Sequence, residues 1–300
     1  MKAVCFSEFG GPEVLEIVDL PDPHAGPGQV RIAVHAVGIN PTDWKLRKGL
    51  MGGELPQTTG RDVAGVVDEI GEGITDVSVG DRVFGFSDDG AGAAQLALLS
   101  YYAPIPPSLG FVEAAALPVA LETATRSLDA LGVGAESMLL VNGASGGVGS
   151  AAVQLAAARG ARVIGTASSA NHDYLRSLGA EPVAYGEGLV DRVRALAPDG
   201  VDVALDVAGN GVLPELIELA GGPEHVVTVT DFGGAREHGV RFSSGDAGRA
   251  VHSIAEIGGL IEDGRFSPPV TRTFPLAEIA QAHRLSEEGH VRGKLVLLVD

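Results

Sequence analysis

Cysteine is all but missing from this chain: Cys5 stands alone among 300 residues. A single thiol can form neither an internal disulfide nor a cysteine-rich zinc site, which suits a reducing cytoplasm. Long apolar runs are also missing. None approaches the roughly 18 residues a membrane span requires, and the opening Met-Lys-Ala-Val-Cys-Phe reads as a strand rather than a signal peptide. Positive charge is short, with 21 Lys and Arg against 39 Asp and Glu and a formal net charge of −18. Polyanion binding needs a basic face that releases counterions, so neither nucleic acid nor an anionic membrane is an expected partner. The eight histidines are scattered without the spacing of metal ligands, and surface or packing roles are expected for them.

What is present is the composition of a folded protein, 45% hydrophobic and 20% charged, at a length for one large or two ordinary domains. The first 118 residues hold short β-type runs, Lys2–Phe6, Val30–Val37, Val63–Ile70 and Asp81–Phe86. Turn signals such as Gly10-Gly11-Pro12 and Pro21-Asp22-Pro23 separate them. This predicts a small barrel-like β domain. From Pro118 the pattern changes to helices and strands in alternation: helix Leu117–Leu131, strand Leu139–Val141, strand Arg162–Thr166, helix Asn171–Leu178, strand Pro182–Tyr185 and helix Leu189–Leu196. Strand Val201–Val207, helix Leu213–Leu219, strand His225–Thr230 and a helix over Asp246–Glu262 complete it. Such alternation implies βαβ units and a doubly wound parallel sheet, an α/β fold. After Phe266 the β texture returns, with a helix at Leu276–Glu287 and a strand at Lys294–Val299. The expected domains are therefore 1–118 completed by 264–300, and 119–263.

The informative stretch is Met138-Leu139-Leu140-Val141-Asn142-Gly143-Ala144-Ser145-Gly146-Gly147-Val148-Gly149, read as strand, glycine turn and helix start. Backbone N–H groups at a helix N-terminus are unpaired and partly positive, so a pyrophosphate placed there gains hydrogen bonds without a basic side chain. Two registers compete, Ala144-x-Gly146-x-x-Gly149 and Gly147-x-Gly149-x-x-Ala152. Either makes Ala144, Ser145, Gly146, Gly147, Val148 and Gly149 the contact surface of a dinucleotide. An NAD site carries an acid roughly 20 residues past the glycines to bind the ribose hydroxyls. Here Val163-Ile164-Gly165-Thr166-Ala167-Ser168-Ser169-Ala170-Asn171-His172 contains none before Asp173. No carboxylate repels a 2′-phosphate, and Ser168, Ser169 and Asn171 can donate to it, so NADPH is the expected cofactor. The same residues could simply cap the next helix.

Together, Gly38-Ile39-Asn40-Pro41-Thr42-Asp43-Trp44-Lys45, Gly60-Arg61-Asp62-Val63-Ala64-Gly65-Val66-Val67, Gly80-Asp81-Arg82-Val83-Phe84-Gly85, the glycine turn and Gly289-His290-Val291-Arg292-Gly293-Lys294-Leu295-Val296-Leu297 resemble the zinc-independent medium-chain dehydrogenase/reductase superfamily, in its quinone oxidoreductase branch, relatives of zeta-crystallin. The resemblance spans essentially the whole chain. It implies a GroES-like substrate domain, a Rossmann domain, an active site in the cleft between them, and a homodimer. It also implies reduction of a quinone or an α,β-unsaturated carbonyl, a small-molecule substrate. Two other readings stay open: an enoyl reductase of a biosynthetic pathway, and an NADPH-binding protein without turnover.

By the same resemblance Asn40 stands where zinc-dependent relatives carry a cysteine ligand and Arg61 where they carry histidine, so no metal is expected. Asn40 is then a residue beside the nicotinamide; by turn preference it is equally a residue that precedes Pro41. Asp43 is expected to cap or brace the short helix Trp44–Lys48, and Trp44 either walls the substrate pocket or packs. Thr123 matches the family's nicotinamide-contacting threonine, Tyr185 a tyrosine near the adenosine phosphate, and Val229 and Thr230 lie near the ring. Glu122 replaces an apolar family residue. The family's tyrosines after Gly-Asp-Arg-Val-Phe-Gly are replaced by Gly90-Ala91-Gly92-Ala93-Ala94-Gln95-Leu96-Ala97, and Tyr101 and Tyr102 are expected to pack. Water then becomes a candidate proton donor.

Overall fold

A computed structural model describes residues 1–245 and 248–300. The chain separates into two compact units: Met1–Val119 with Ile254–Glu262 and Ser267–Asp300, and Ala120–Ser253 with Asp263–Phe266. In chain order the first unit holds β1 (Lys2–Phe6), β2 (Glu16–Asp19), β3 (Val30–Ile39), α1 (Pro41–Arg47), β4 (Gln57–Thr58), β5 (Asp62–Ile70), β6 (Arg82–Phe86), β7 (Leu96–Leu99), β8 (Tyr101–Pro104) and α2 (Phe111–Ala115). Helix α3 (Pro118–Ala130) leads into the second unit. That unit holds β9 (Met138–Asn142), α4 (Gly147–Ala158), β10 (Arg162–Ala167), α5 (His172–Ser177), β11 (Ala180–Ala184), α6 (Leu189–Leu196), β12 (Val203–Asp206), α7 (Leu213–Ala220), β13 (Val226–Thr228), α8 (Phe232–His238) and β14 (Arg241–Phe242). Then follow α9 (Ser253–Glu262), β15 (Val270–Pro275), α10 (Ile279–Glu288) and β16 (Lys294–Leu298).

In the first unit, β3 is long, β-branched and flanked on both sides, which makes it the centre of a sheet ordered β15-β16-β3-β5-β6-β8, with β7 also paired to β3. Its Val30, Ile32, Val34 and Val37 join Val4, Leu99, Phe274 and Leu297 in the core. The antiparallel registers pair Leu295 with Ile39 and Gly38 with Asp62. The residues that follow β3, open β5 and open β16 are thereby brought to one end of three adjacent strands.

Helix α1 starts directly after β3 because Pro41 supplies a helical φ at its first position and the Asp43 carboxylate accepts the Asn40 backbone N–H at 2.7 Å. Its last turn buries Arg47 completely. That guanidinium donates to Gly10 O at 3.2 Å and Glu287 at 2.6 Å, and its Nη1 lies 3.5 Å from His283 Nδ1. Burial, and secondarily the Arg47 charge, pulls the His283 pKa down to about 4. The folded state thus resists a proton that the unfolded chain accepts near pH 6.5, so stability is complete above pH 6.5 and is lost as pH falls through about 4. The window is worth about 3 kcal/mol. Urea titrations between pH 7 and 4 should show that loss in the natural chain and a loss smaller by about that amount in His283→Gln.

In the second unit every ladder is parallel and the strand order is β11-β10-β9-β12-β13-β14. Apolar strand interiors such as Leu139–Val141 and Val203–Leu205 are buried on both faces, as a sheet covered by helices demands. The chain runs outward from β9 to β11 and returns to β12 on β9's other side. Ligands bind outside the carboxyl ends of such strands where the order reverses, here between β9 and β12.

Some elements depart from expectation. The last helix of the alternating region begins at Ser253 rather than Asp246; Asp246 and Ala247 lie outside the described residues. The backbone N–H of Ala250 donates to Glu122 Oε1 at 3.2 Å instead of to a helical carbonyl. Strand β11 stops at Ala184, which leaves Tyr185 on the following turn. Tyr101 does not pack and is 54% exposed.

Candidate functional site

The glycine turn is a tight connection between β9 and α4. Gly143 adopts φ +84°, a conformation open to glycine, and a Cβ there would meet Ala208 Cβ at 2.8 Å. Gly146 caps α4, a position that suits the Ala144-x-Gly146-x-x-Gly149 spacing. At Gly149 a Cβ would lie 2.2 Å from Gly143 O, so this glycine lets the helix close on the turn. At Gly146, by contrast, the nearest atom to a Cβ is Gly143 O at 3.6 Å. The outer side of the turn is open, and the N–H groups of Gly147, Val148 and Gly149 form the first turn of a 12-residue helix. This cradle fits a dinucleotide pyrophosphate, which Ser145–Val148 would hold. Ala144 is buried, with its N–H on Thr166 O at 3.1 Å.

A buried polar chain fixes the turn from below. Gly143 N–H donates to Thr166 Oγ1 at 3.0 Å, Thr166 to Asn142 Oδ1 at 2.7 Å, and Asn142 Nδ2 to Asp206 Oδ1 at 2.9 Å. Asp206 also accepts from Ala208 N–H, Gly209 N–H and the Thr228 hydroxyl at 3.1, 2.8 and 2.8 Å. Thr228 Oγ1 in turn accepts from Thr230 N–H, and the Asp206 carbonyl accepts from Val229 N–H. One fully buried carboxylate at the end of β12 therefore ties the glycine turn to the segment carrying Val229 and Thr230. Its sequence signal is modest: an acid that closes an apolar strand on the ligand side of a parallel sheet.

Beyond β10, Ser168 starts a short turn, and Asn171 donates to it by both its backbone N–H and its side chain, at 2.9 and 3.3 Å. Ser168 and Asn171 are thus joined, Ser169 is exposed beside them, and neither serine caps a helix through its side chain. Asp173 pairs with Arg176 at 2.6 Å. Tyr185 is 53% exposed on a turn pinned by Arg192, which donates to Ala184 O, Gly186 O and Glu187 O.

In α3, Thr123 is buried and its hydroxyl donates to Glu122 Oε2 at 3.3 Å. Glu122 also accepts from Arg126 Nε at 2.7 Å, while Arg126 reaches Ser243 Oγ. With its acceptance from Ala250 N–H, the unexpected Glu122 braces the segments on either side of the undescribed residues.

The first unit presents a second polar cluster. Asn40 is 3% exposed; its Nδ2 donates to Asp62 Oδ2 at 2.9 Å and its Oδ1 accepts from Lys294 Nζ at 2.5 Å. Lys294 also pairs with Asp62 Oδ2 at 3.0 Å, and Asp62 Oδ1 accepts from Val119 N–H. Burial pushes the Asp43 and Asp62 carboxyls up, and Lys294 works against that shift at both. Trp44 is half-buried beneath the Lys45 and Lys48 ammonium groups at 5.6 and 5.7 Å, its buried Nε1 without a partner among the described residues. Tyr102 donates to Asp76 at 2.9 Å, and burial together with that carboxylate raises its pKa to about 12.

Comparison with known proteins gives the same outline. Residues 26–105 match a family model described as an alcohol dehydrogenase GroES-like domain, and residues 178–297 one described as a zinc-binding dehydrogenase. The chain is 35% identical over 326 residues to quinone oxidoreductase of Rattus norvegicus, covering 100% of this chain and 98% of the relative. It belongs to the medium-chain dehydrogenase/reductase family. Another member, an NADPH-dependent alkenal/one oxidoreductase of Arabidopsis thaliana described as chloroplastic, is 32% identical and aligns with 99% of this chain and 79% of its own. Among solved members, the quinone oxidoreductase from Coxiella burnetii superposes with a TM-score of 0.87 at 33% identity, covering 100% of this chain and 99% of that one. Membership makes the protein an oxidoreductase of the nucleotide-binding kind with a GroES-like and a Rossmann fold. Among the described residues no helix is long and apolar enough to cross a membrane.

Proposed function

We propose that this family member reduces quinones or α,β-unsaturated carbonyls with NADPH and without zinc. The observation that carries the reading is the open glycine cradle at the N-terminus of α4, beside the point where the strand order reverses. NADPH is favoured over NADH because β10 ends at Ala167, Ser168 and Ser169 follow it, and the first carboxylate, Asp173, is paired with Arg176. The name of the Arabidopsis relative points the same way.

When bound, NADPH supplies a hydride; with one proton from water it turns an enone into a saturated carbonyl or a quinone into a quinol. The chain's own contribution is positioning. Ser145–Val148 would hold the pyrophosphate, and Ser168, Ser169, Asn171 and Tyr185 would serve the adenosine phosphate. In this reading Thr123, Val229 and Thr230 would serve the nicotinamide, Asn40 would orient the acceptor oxygen and Trp44 would bound the acceptor. Tyr102 donates to Asp76 and its pKa is raised to about 12, so it is a poor acid, and water is the proton source in this reading. The zinc-free reading is supported by Asn40 and Arg61, which are not the thiolate and imidazole that zinc prefers; among the described residues no three of His, Cys, Asp and Glu form a metal-holding group. The same reading includes a cytoplasmic setting and a homodimer, for which β14 offers an edge strand; light scattering checks the latter.

Anaerobic mixing with NADPH or NADH and a panel of quinones and enones is the test. Oxidation of NADPH with kcat/KM at least about tenfold above NADH is expected, in protein without stoichiometric zinc. Equal affinities for the two cofactors would remove the preference. Faster turnover of a carrier-bound enoyl thioester would make the protein a biosynthetic enoyl reductase, and tight NADPH binding with no acceptor reduced would make it a non-catalytic binder.

A further inference from the structure

Lysine is rare in this chain, four residues against 17 arginines, yet one of the four is buried. Lys294 opens β16 beside the end of β3, and Asp62 opens β5 on its other flank, so both side chains converge on Asn40. A buried ion pair contributes little net stability, because desolvation offsets the attraction; a hydrophobic pair of similar volume does as well or better. Stability alone is thus a weak reason for this pair.

The geometry supplies another. The Lys294 ammonium is a compact donor, and it divides its hydrogen bonds between Asp62 and the amide oxygen of Asn40. Asp62 takes one amide hydrogen of Asn40, and Asp43 takes the Asn40 backbone N–H. These contacts determine the rotamer and the amide orientation, and leave one Nδ2 hydrogen uncommitted among the described residues. A cation on the oxygen of an amide strengthens its N–H as a donor, most of all where burial excludes water.

We propose that Lys294 and Asp62 are positioning residues that lock and polarise the Asn40 carboxamide, so that its remaining Nδ2–H is the donor offered to the acceptor's carbonyl oxygen. This rests on the reading of Asn40 as the acceptor-side group. Lys294→Met is expected to lower kcat about 30-fold, a milder loss than removing a donor outright, with the NADPH dissociation constant within about twofold of the natural chain. Since the single variant strands the Asp62 charge, the double variant Lys294→Met/Asp62→Asn is measured beside it. Its thermal midpoint should recover while its kcat stays at least about tenfold low. In an Asn40→Ala background, Lys294→Met should cost no further kcat, because its effect passes through Asn40. A double variant with kcat restored along with its midpoint, or a full additional loss on top of Asn40→Ala, overturns the proposal while the reductase reading stands. A natural chain that binds NADPH but reduces no acceptor overturns both.

Discussion

Gly146→Val is expected to raise the dissociation constant for NADPH at least about 100-fold, some 2.7 kcal/mol, while the protein stays folded. The added side chain meets no protein atom closer than 3.6 Å at its Cβ, so it projects into the space the pyrophosphate would fill. Replacing a glycine cap by valine costs at most about 1 kcal/mol, a shift of a few degrees in the midpoint. Gly149→Ala should do the opposite. Alanine in a helix interior gains about 1 kcal/mol over glycine, but its Cβ would sit 2.2 Å from Gly143 O and 2.8 Å from Ala144 Cα, both backbone atoms that cannot rotate away. Steric cost wins, and the turn opens with a loss of about 3 kcal/mol. Fluorescence titration with NADPH and thermal unfolding on both variants check the pair; unchanged affinity in Gly146→Val would refute the cradle.

Asp206→Ala should be the most destabilising single change at the site. It leaves Asn142 Nδ2, the Ala208 and Gly209 N–H groups and the Thr228 hydroxyl without their acceptor in a fully buried position. Each stranded donor costs on the order of 1–3 kcal/mol, and partial relaxation brings the sum to about 4 kcal/mol, or about 10 °C in the midpoint. NADPH affinity should fall as well, because both the glycine turn and the Val229–Thr230 segment hang on this carboxylate. A midpoint within about 2 °C of the natural chain would show that the network is not what holds the two together.

The fold class was legible because its signals are local. Apolar runs of strand length alternate with helical spacing from Leu139 onward, and each glycine of the turn must be small for a reason that operates within a few residues. Gly149 close to Gly143 O illustrates this. Where a signal depended on something distant, the local reading slipped. Acceptance from Ala250 N–H by Glu122, 128 residues away, gives that donor a partner outside any helix, three residues before α9 begins at Ser253. Tyr101 and Tyr102 are successive residues of β8 and so point to opposite faces; Tyr102 packs against the core and Tyr101 is exposed.

The candidate site divides in the same way. Sequence alone singled out the glycine turn, the absence of an acid after β10 and the residue at the end of β3, since each is a matter of which side chain is present or missing at one place. It could not assign Asp206, nor join Asn40 to Lys294 across 254 positions. Hydrogen bonding of a buried carboxylate or ammonium is set by which strands lie side by side. Only the registers of β16, β3 and β5 in one sheet, and of β9, β12 and β13 in the other, bring those partners within reach.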